Sequence, residues 1–236
     1  MNNLLQYDLG KEITAFSTKR NQSPQSKALT SQELPFPVLQ PHQVHDDKIV
    51  IVDRRDMTRE DLQGVDGLIT NLKDLAIGVR TADCVPVLMY DEKHGVVAAV
   101  HSGWRGTVKR ISQKALQMMA ENFSVKASDV KAVIGPSIGP ESFQVGEEVV
   151  EEFRKAGFPM KDISGFFGEK IPDTMNGGWH IDLWKANKWL LTEMGLSPEN
   201  IQISGICTYS HNDLFFSARQ EGTKCGRIIN AIKMNS

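Results

Sequence analysis

Cys84 follows Asp83 at the head of an apolar run, and His101 comes seventeen residues later, just ahead of Gly103-Trp104-Arg105-Gly106-Thr107. A thiol and an imidazole are donors that a divalent transition ion prefers, and they are equally the pair that covalent catalysis needs. Whether they meet depends on the elements between them. "VPVLMY" and "GVVAAVH" read as two strands joined at Asp91-Glu92-Lys93-His94. If Asp91 pairs with His94, Cys84 lies directly opposite His101. If the loop is longer, with Gly95 as its left-handed residue, His101 faces Pro86 and Cys84 is its diagonal neighbour. Both registers leave the two side chains on one face, because side-chain direction repeats every second residue. Directly opposite Cβ atoms stand about 4.5–5.5 Å apart, and zinc holds sulfur at about 2.3 Å and imidazole nitrogen at about 2.0–2.1 Å. The hairpin can supply two ligands.

A third donor is available upstream. "QPHQVHD" carries His42 and His45 ahead of the strand "DKIVIVD". One Cys and two His give a three-ligand site with an open fourth position, the arrangement of catalytic zinc. From the residues alone either histidine qualifies. Taken singly, Cys84 reads as an inert core residue and each histidine as a hydrogen-bonded structural one. The coincidence of three is what points to a metal. Asp83, one residue before Cys84, should face the other way and reads as an outer or structural carboxylate rather than a general acid.

Beside these donors, Gly103 to Thr107 ends a strand and opens a helix, so backbone N–H groups and the Arg105 guanidinium converge on a candidate anion site. Trp104, in the same turn, reads as a buried structural residue. "IGPSIGPE" is a weaker phosphate candidate, since its prolines remove donors.

The elements that position these residues alternate. "LAIGVR" and "VKAVIGPSIG" read as strands, and "REDLQGVDGLIT" as a short helix or turn. Val108, Ile111, Leu116 and Met119 mark one face of a three-turn helix beginning near Thr107. "GEEVVEEFRKAG" is a helix with an acidic first turn, stopped at Gly157. "GWHIDLWKANKWLLTEMG" passes from strand to helix with Asp182 as N-cap, and "IQISGICTYS", "LFFSAR" and "GRIINAIKM" read as closing strands. Asn21 to Pro41, rich in Ser, Gln and Pro, reads as a surface loop. The pattern predicts a mixed α/β-type single domain over residues 1–236.

Composition narrows the function classes. Lys+Arg of 27 against Asp+Glu of 29 argues against non-specific nucleic-acid binding. No apolar run reaches the eighteen or so residues of a membrane span. Asp8 interrupts the short apolar start, so no signal peptide is expected. Three widely spaced cysteines do not make a disulfide framework, which fits a reducing cytoplasm.

Four segments, "TADCVPVLMYD", "AAVHSGWRGT", "IGPSIGPESFQVGEEV" and "CTYSHNDLFFSARQEGTKCGR", together resemble the bacterial YfiH/YlmD-type proteins, also described as polyphenol oxidase (laccase) domain proteins. The resemblance runs from about Gln43 to the C-terminus. It implies an α+β fold, a layered sandwich in which mixed sheets pack between outer helices. It implies a zinc-dependent phosphorylase of adenosine, inosine, guanosine and methylthioadenosine that also deaminates adenosine. The sequence itself leaves monomer and homodimer both open. It places the metal ligands at His45, Cys84 and His101, with Cys84 and His101 catalytic through the metal, and leaves His42 as a surface or outer residue. Arg105 is then a substrate residue.

The chain departs from that pattern in residues 1–41. Where the family has Phe-Ser-Thr-Arg and two glycines, this chain has Phe16-Ser17-Thr18-Lys19-Arg20-Asn21, so Lys19 or Arg20 would have to contact phosphate or ribose, and Lys lacks the bidentate fork. Asp46 stands in place of a family glycine, and Gln220 and Cys225 stand where Arg and Thr are usual. Rival readings are a cysteine hydrolase with Cys84 as nucleophile, a copper oxidase of phenols using the same donors, and a non-enzymatic binding module.

Overall fold

The computed structural model describes residues 3–20, 34–167 and 177–236. Its centre is the hairpin of strands Val85–Asp91 and Val96–Ser102. All fourteen of its residues are buried, which explains the near-continuous apolar runs, because a strand covered on both faces has no solvent side to alternate with. The hairpin lies inside a six-stranded mixed sheet, ordered Ile201–Ile203, Lys131–Ile134, Val85–Asp91, Val96–Ser102, Gly67–Thr70, Ile49–Ile51. A five-stranded sheet runs Leu4–Tyr7, Ile13–Thr18, Ile228–Met234, Ala76–Thr81, Val38–Leu39. A third, three-stranded sheet is built from Gln144–Val145, Gly178–Ile181 and Ser164–Phe167.

The two faces of the hairpin bury different partners. Leu88, Tyr90, Val97 and Ala99 pack with Ile77, Val79, Ile232 and Met234 of the five-stranded sheet. Val85, Val87, Met89, Ala98 and Val100 pack against the apolar faces of helices Ile111–Phe123, Glu147–Lys155 and Leu183–Glu193. Truncating one such fully buried side chain to Ala costs about 2–5 kcal/mol. The fold is therefore α+β and layered, sheet on sheet with helices outside.

Register follows the longer loop. Asp91 pairs with Val96 and Pro86 with His101, and Gly95 takes φ 60, the left-handed conformation that glycine adopts without a Cβ penalty. Asp91 fixes the turn by accepting from the amides of Lys93 and His94 and from the His94 ring. Cys84 and His101 thus share the face turned toward the five-stranded sheet, alongside Leu88 and Ala99.

Several expected elements take other forms. The helix expected from Thr107 is two helices, Trp104–Val108 and Ile111–Phe123, broken at Arg110, which takes φ 63. Its guanidinium donates to Ala156 O and lies over Phe158 and Trp189, contacts that turn the chain there. "LFFSAR" is not a strand: Leu214 and Phe215 donate back to His211 O, and Phe215 and Phe216 are buried consecutively rather than alternately. The end of "REDLQGVDGLIT" is the strand Gly67–Thr70. Asp182 caps its helix as expected, accepting from the Lys185 amide. Of the Asn21 to Pro41 loop, residues 21–33 lie outside the described residues, and Val38–Leu39 is a short strand. No helix among the described residues is long and apolar enough to cross a membrane.

Candidate metal centre

His45, Cys84 and His101 meet, with their donor atoms all within 4.8 Å of one another. Cys84 and His101 arrive from the head of one hairpin strand and the tail of the other. His45 arrives on a loop, in the left-handed conformation with φ 64, a state that needs support from its surroundings.

That support comes from Asp66, which pattern reading left inside a turn. Its buried carboxylate accepts from the backbone amides of Val44 (3.1 Å), His45 (3.0 Å) and Asp46 (3.0 Å). The same carboxylate holds His101 Nδ1 at 2.7 Å. One residue therefore shapes the His45 loop and orients the His101 ring. Burial would raise the Asp66 carboxyl, but the His101 ring and the Asp46 and Val44 amides outweigh it and hold Asp66 below its ordinary value. An ionised Asp66 accepts a hydrogen bond from Nδ1–H and leaves Nε2 of His101 free toward the cluster, the arrangement usual behind a metal-bound histidine.

The cluster is electrostatically coupled. Burial opposes ionisation of Cys84, yet the charges and hydrogen bonds of His101 and His45 lower its thiol to about 6. Burial likewise opposes a charged His101, yet Cys84 and Asp66 raise it to about 9. Gly103 is needed for space here: a Cβ at that position would stand 3.0 Å from Cys84 Sγ and 3.7 Å from His45 Cδ2. A soft thiolate and two imidazoles, one of them locked by a carboxylate, form a donor set that zinc or copper fits.

The donors open onto a cleft of about 790 Å³. Arg105 lines it, its guanidinium 4.3 Å over the Trp104 ring, with Ile138 and Phe143 supplying apolar wall. His42 also lines the cleft, through a loop bridged to Gln63, but it is not part of the donor group. Lys19 and Arg20 do not line it. Arg20 pairs with Glu221 and lies 4.3 Å over the Phe216 ring. Asp83, at φ 86, has both oxygens engaged: Thr208 Oγ1 donates to one at 2.6 Å and the Arg219 amide to the other at 2.7 Å. It ties the C-terminal segment to the hairpin, in keeping with a structural carboxylate.

The "IGPSIGPE" turn makes a poor cradle, because four of its amides are already used. Gly135 donates to Pro86 O, Ser137 to Ile206 O, Ile138 to Asp83 O and Gly139 to Cys207 Sγ. Asp46 pairs with Lys109 across the mouth of the short helix. The cleft residues that pattern reading missed are arginines: Arg59, Arg80, Arg219 and Arg227 line it with Arg105. Each looked like an ordinary strand or turn residue, and no local signal marked it.

Comparison with known proteins fits this architecture. The family described as multi-copper polyphenol oxidoreductase laccase matches residues 16–235, and the chain belongs to that family. It is 40% identical over 227 residues to a protein of Bacteroides thetaiotaomicron named purine nucleoside phosphorylase, covering 94% of this chain and 81% of that one. It is 38% identical over 201 residues to adenosine deaminase RL5 of an unknown prokaryotic organism, covering 83% of this chain and 74% of that one. The purine nucleoside phosphorylase YlmD of Bacillus subtilis is 34% identical over 199 residues, covering 81% of this chain and 69% of that one. In fold, the chain superposes on the hypothetical protein YfiH of Bacillus licheniformis with a TM-score of 0.84 at 24% identity, covering 100% of this chain and 97% of that one.

Proposed function

We propose that this chain is a zinc-dependent purine nucleoside phosphorylase, acting on adenosine, inosine, guanosine and methylthioadenosine, that also deaminates adenosine. The observation that carries the proposal is the convergence of His45, Cys84 and His101 within 4.8 Å at the wall of a cleft large enough for a nucleoside. Relatives at 40% and 38% identity named for these two activities support it.

His45, Cys84 and His101 would hold the zinc, which supplies Lewis acidity when bound. The chain's own residues do the rest. Asp66 keeps the His101 proton on Nδ1 and the His45 loop closed. Phe143 and Ile138 exclude water from one wall and offer an apolar surface to a base, and Trp104 backs Arg105 so that its charge faces the cleft. Arg105 would hold an anionic oxygen of phosphate. Arg20, through Glu221, anchors the helix Ala218–Glu221 that carries Arg219, a positioning role rather than a contact. We place the reaction in the cytoplasm, in keeping with three cysteines that form no disulfide.

Metal content by mass spectrometry, alongside product analysis from adenosine, tests this reading. About one zinc per chain is expected, with adenine released only when phosphate is present and inosine formed without it. Purified protein that carries zinc and yields neither product ends the proposal. Copper at the same site would favour an oxidase, although among the described residues a single donor group is found where a centre of several coppers would need more.

A second reading has one observation in its favour, the Cys84 thiol lowered to about 6 beside His101, the state of a nucleophilic cysteine. Under that reading turnover survives a chelator and is abolished by alkylation. The metal reading requires the reverse sensitivity to the chelator.

A further inference from the structure

Three of the cleft arginines, Arg59, Arg80 and Arg227, come from separate parts of the chain and have no carboxylate partner among the described residues. The register explains why two of them meet. Ile229 pairs with Arg80 and Ile228 with Thr81 across adjacent antiparallel strands, so Arg227 and Arg80 are diagonal neighbours on one face. Arg80 is further fixed through its backbone, whose N–H and C=O both bond the Gln43 side chain. The bridge between His42 and Gln63 brings the turn bearing Arg59 alongside. Arg227 is held by hydrogen bonds from its guanidinium to the carbonyls of Thr223 (2.8 Å), Cys225 and Gly226.

Like charges are thus gathered and held. Burial and the charges of Arg59 and Arg227 push Arg80 below the usual arginine range, which marks the cluster as one that an anion would relieve. The acid lining the cleft, Asp83, is already committed to Thr208 and the Arg219 amide. The Arg80 fork suits the tetrahedral oxygens of a phosphate group, with Arg227, fixed by its carbonyl partners, adding charge at the diagonal.

We propose that Arg59, Arg80 and Arg227 form a phosphate subsite in the cleft, additional to Arg105, that takes either inorganic phosphate or the 5′-phosphate of a purine nucleotide. Inorganic phosphate as co-reactant rests on the phosphorylase reading above; binding of the group does not. The subsite explains why a cleft for a neutral nucleoside carries so much uncompensated positive charge.

Calorimetric titration of the full-length metal-loaded protein with inorganic phosphate, and separately with AMP, tests it on Arg80→Gln and Arg59→Gln, with the surface variant Arg55→Gln as charge control. Arg59 is exposed, so its variant keeps the test alive if Arg80→Gln misfolds. Arg80→Gln is expected to weaken the phosphate-group ligand about tenfold or more, with Arg80→Lys recovering part of the loss because charge returns without the fork. The KM for phosphate in base release should rise by a similar factor, well beyond any change in the KM for adenosine. Loss confined to inorganic phosphate identifies a co-reactant site, and loss confined to AMP identifies a nucleotide site. Wild-type protein that binds phosphate yet releases no base leaves the subsite standing and removes the phosphorylase reading. Wild type that binds neither ligand overturns the subsite, as do Arg80→Gln and Arg59→Gln variants that keep both affinities within about twofold.

Discussion

His45 and His101 enter the cleft with their supporting bonds made, whereas the guanidiniums of Arg59 and Arg80 have no carboxylate partner among the described residues. On the first side, the carboxylate of Asp66 takes up a ring N–H and three backbone amides, leaving the donors aimed before any ligand arrives. On the second side, positive charge is stacked against positive charge. The difference separates two ways of building a polar site. A metal centre needs its geometry fixed in advance, because coordination distances tolerate little error. An anion site tolerates looser side chains and relies on its ligand to offset their repulsion. Salt should therefore affect the second side far more than the first.

The largest effect expected is on the fixed side. Cys84→Ala should remove bound metal and lower turnover by more than about a hundredfold, beyond the loss that follows from removing an outer partner alone. Metal analysis and initial rates on the same preparation check it, and phosphorolysis that persists without metal would break the scheme. Next comes Asp66→Asn, which keeps the shape but turns one acceptor oxygen into a donor facing amides or the His101 ring. A drop in metal affinity of about 10–100-fold is expected, with about 1.5–3 kcal/mol lost from stability because hydrogen bonds to a charged acceptor disappear. Competition against a chelator and a denaturant melt measure the two.

Protonation gives a third, smaller handle. Cys84 is lowered to about 6, so in chelator-treated protein its thiolate persists above that pH and is lost as the pH falls through it. Cys225 lines the same cleft but is raised, by burial above all, so its thiolate appears only at higher pH. Alkylation mapped by mass should show Cys84 reacting with a midpoint near pH 6 and Cys225 lagging at neutrality by about tenfold or more. Equal rates at the two sites would show that the imidazoles do not act on Cys84. Milder still is Gly103→Ala, where the added methyl meets Cys84 Sγ at 3.0 Å and the sulfur must shift by a few tenths of an ångström. A several-fold weaker metal affinity with an unchanged melting profile after metal removal is expected, read in the same chelator competition.

Much of the fixed side was legible in the chain because it rests on a local rule. Strand alternation put Cys84 and His101 on one face in either register, and Gly95 then distinguished the registers through its left-handed turn. The choice of His45 over His42 came only from the family resemblance, since both sit in the same short segment. Asp66 was illegible because its bonds reach residues 20 to 35 positions away across a loop whose shape it creates. Arg80 and Arg227 were illegible for a related reason. Nothing in "LAIGVR" or "GRIINAIKM" says that these two strands are neighbours, and only that pairing makes their arginines a cluster. "LFFSAR" failed differently: two consecutive phenylalanines were read as strand, but tertiary burial of both rings overrides the alternation that a strand would need.

Arg20 sharpens the contrast among the arginines themselves. With Lys19 standing where the family has its arginine, the neighbouring Arg20 became a candidate for gripping phosphate or ribose, yet it carries what Arg80 lacks among the described residues: a carboxylate partner in Glu221 and an aromatic face in Phe216. Glu221 in turn accepts from Asn212 and from the Ser217 amide, so the pair closes the base of the helix that presents Arg219. Arg20→Gln should therefore act on stability first, at about 1 kcal/mol, the sum expected of one partly exposed ion pair and one cation–π contact. The KM for phosphate should move by less than about twofold, a small indirect effect through Arg219 and far below that of Arg80→Gln. Kinetics of the two variants side by side decide the matter. If Arg20→Gln raises the KM for phosphate as steeply as Arg80→Gln, then a paired arginine outside the cleft lining binds the ligand, and the division between partnered and unpartnered charge no longer predicts which side chains meet it.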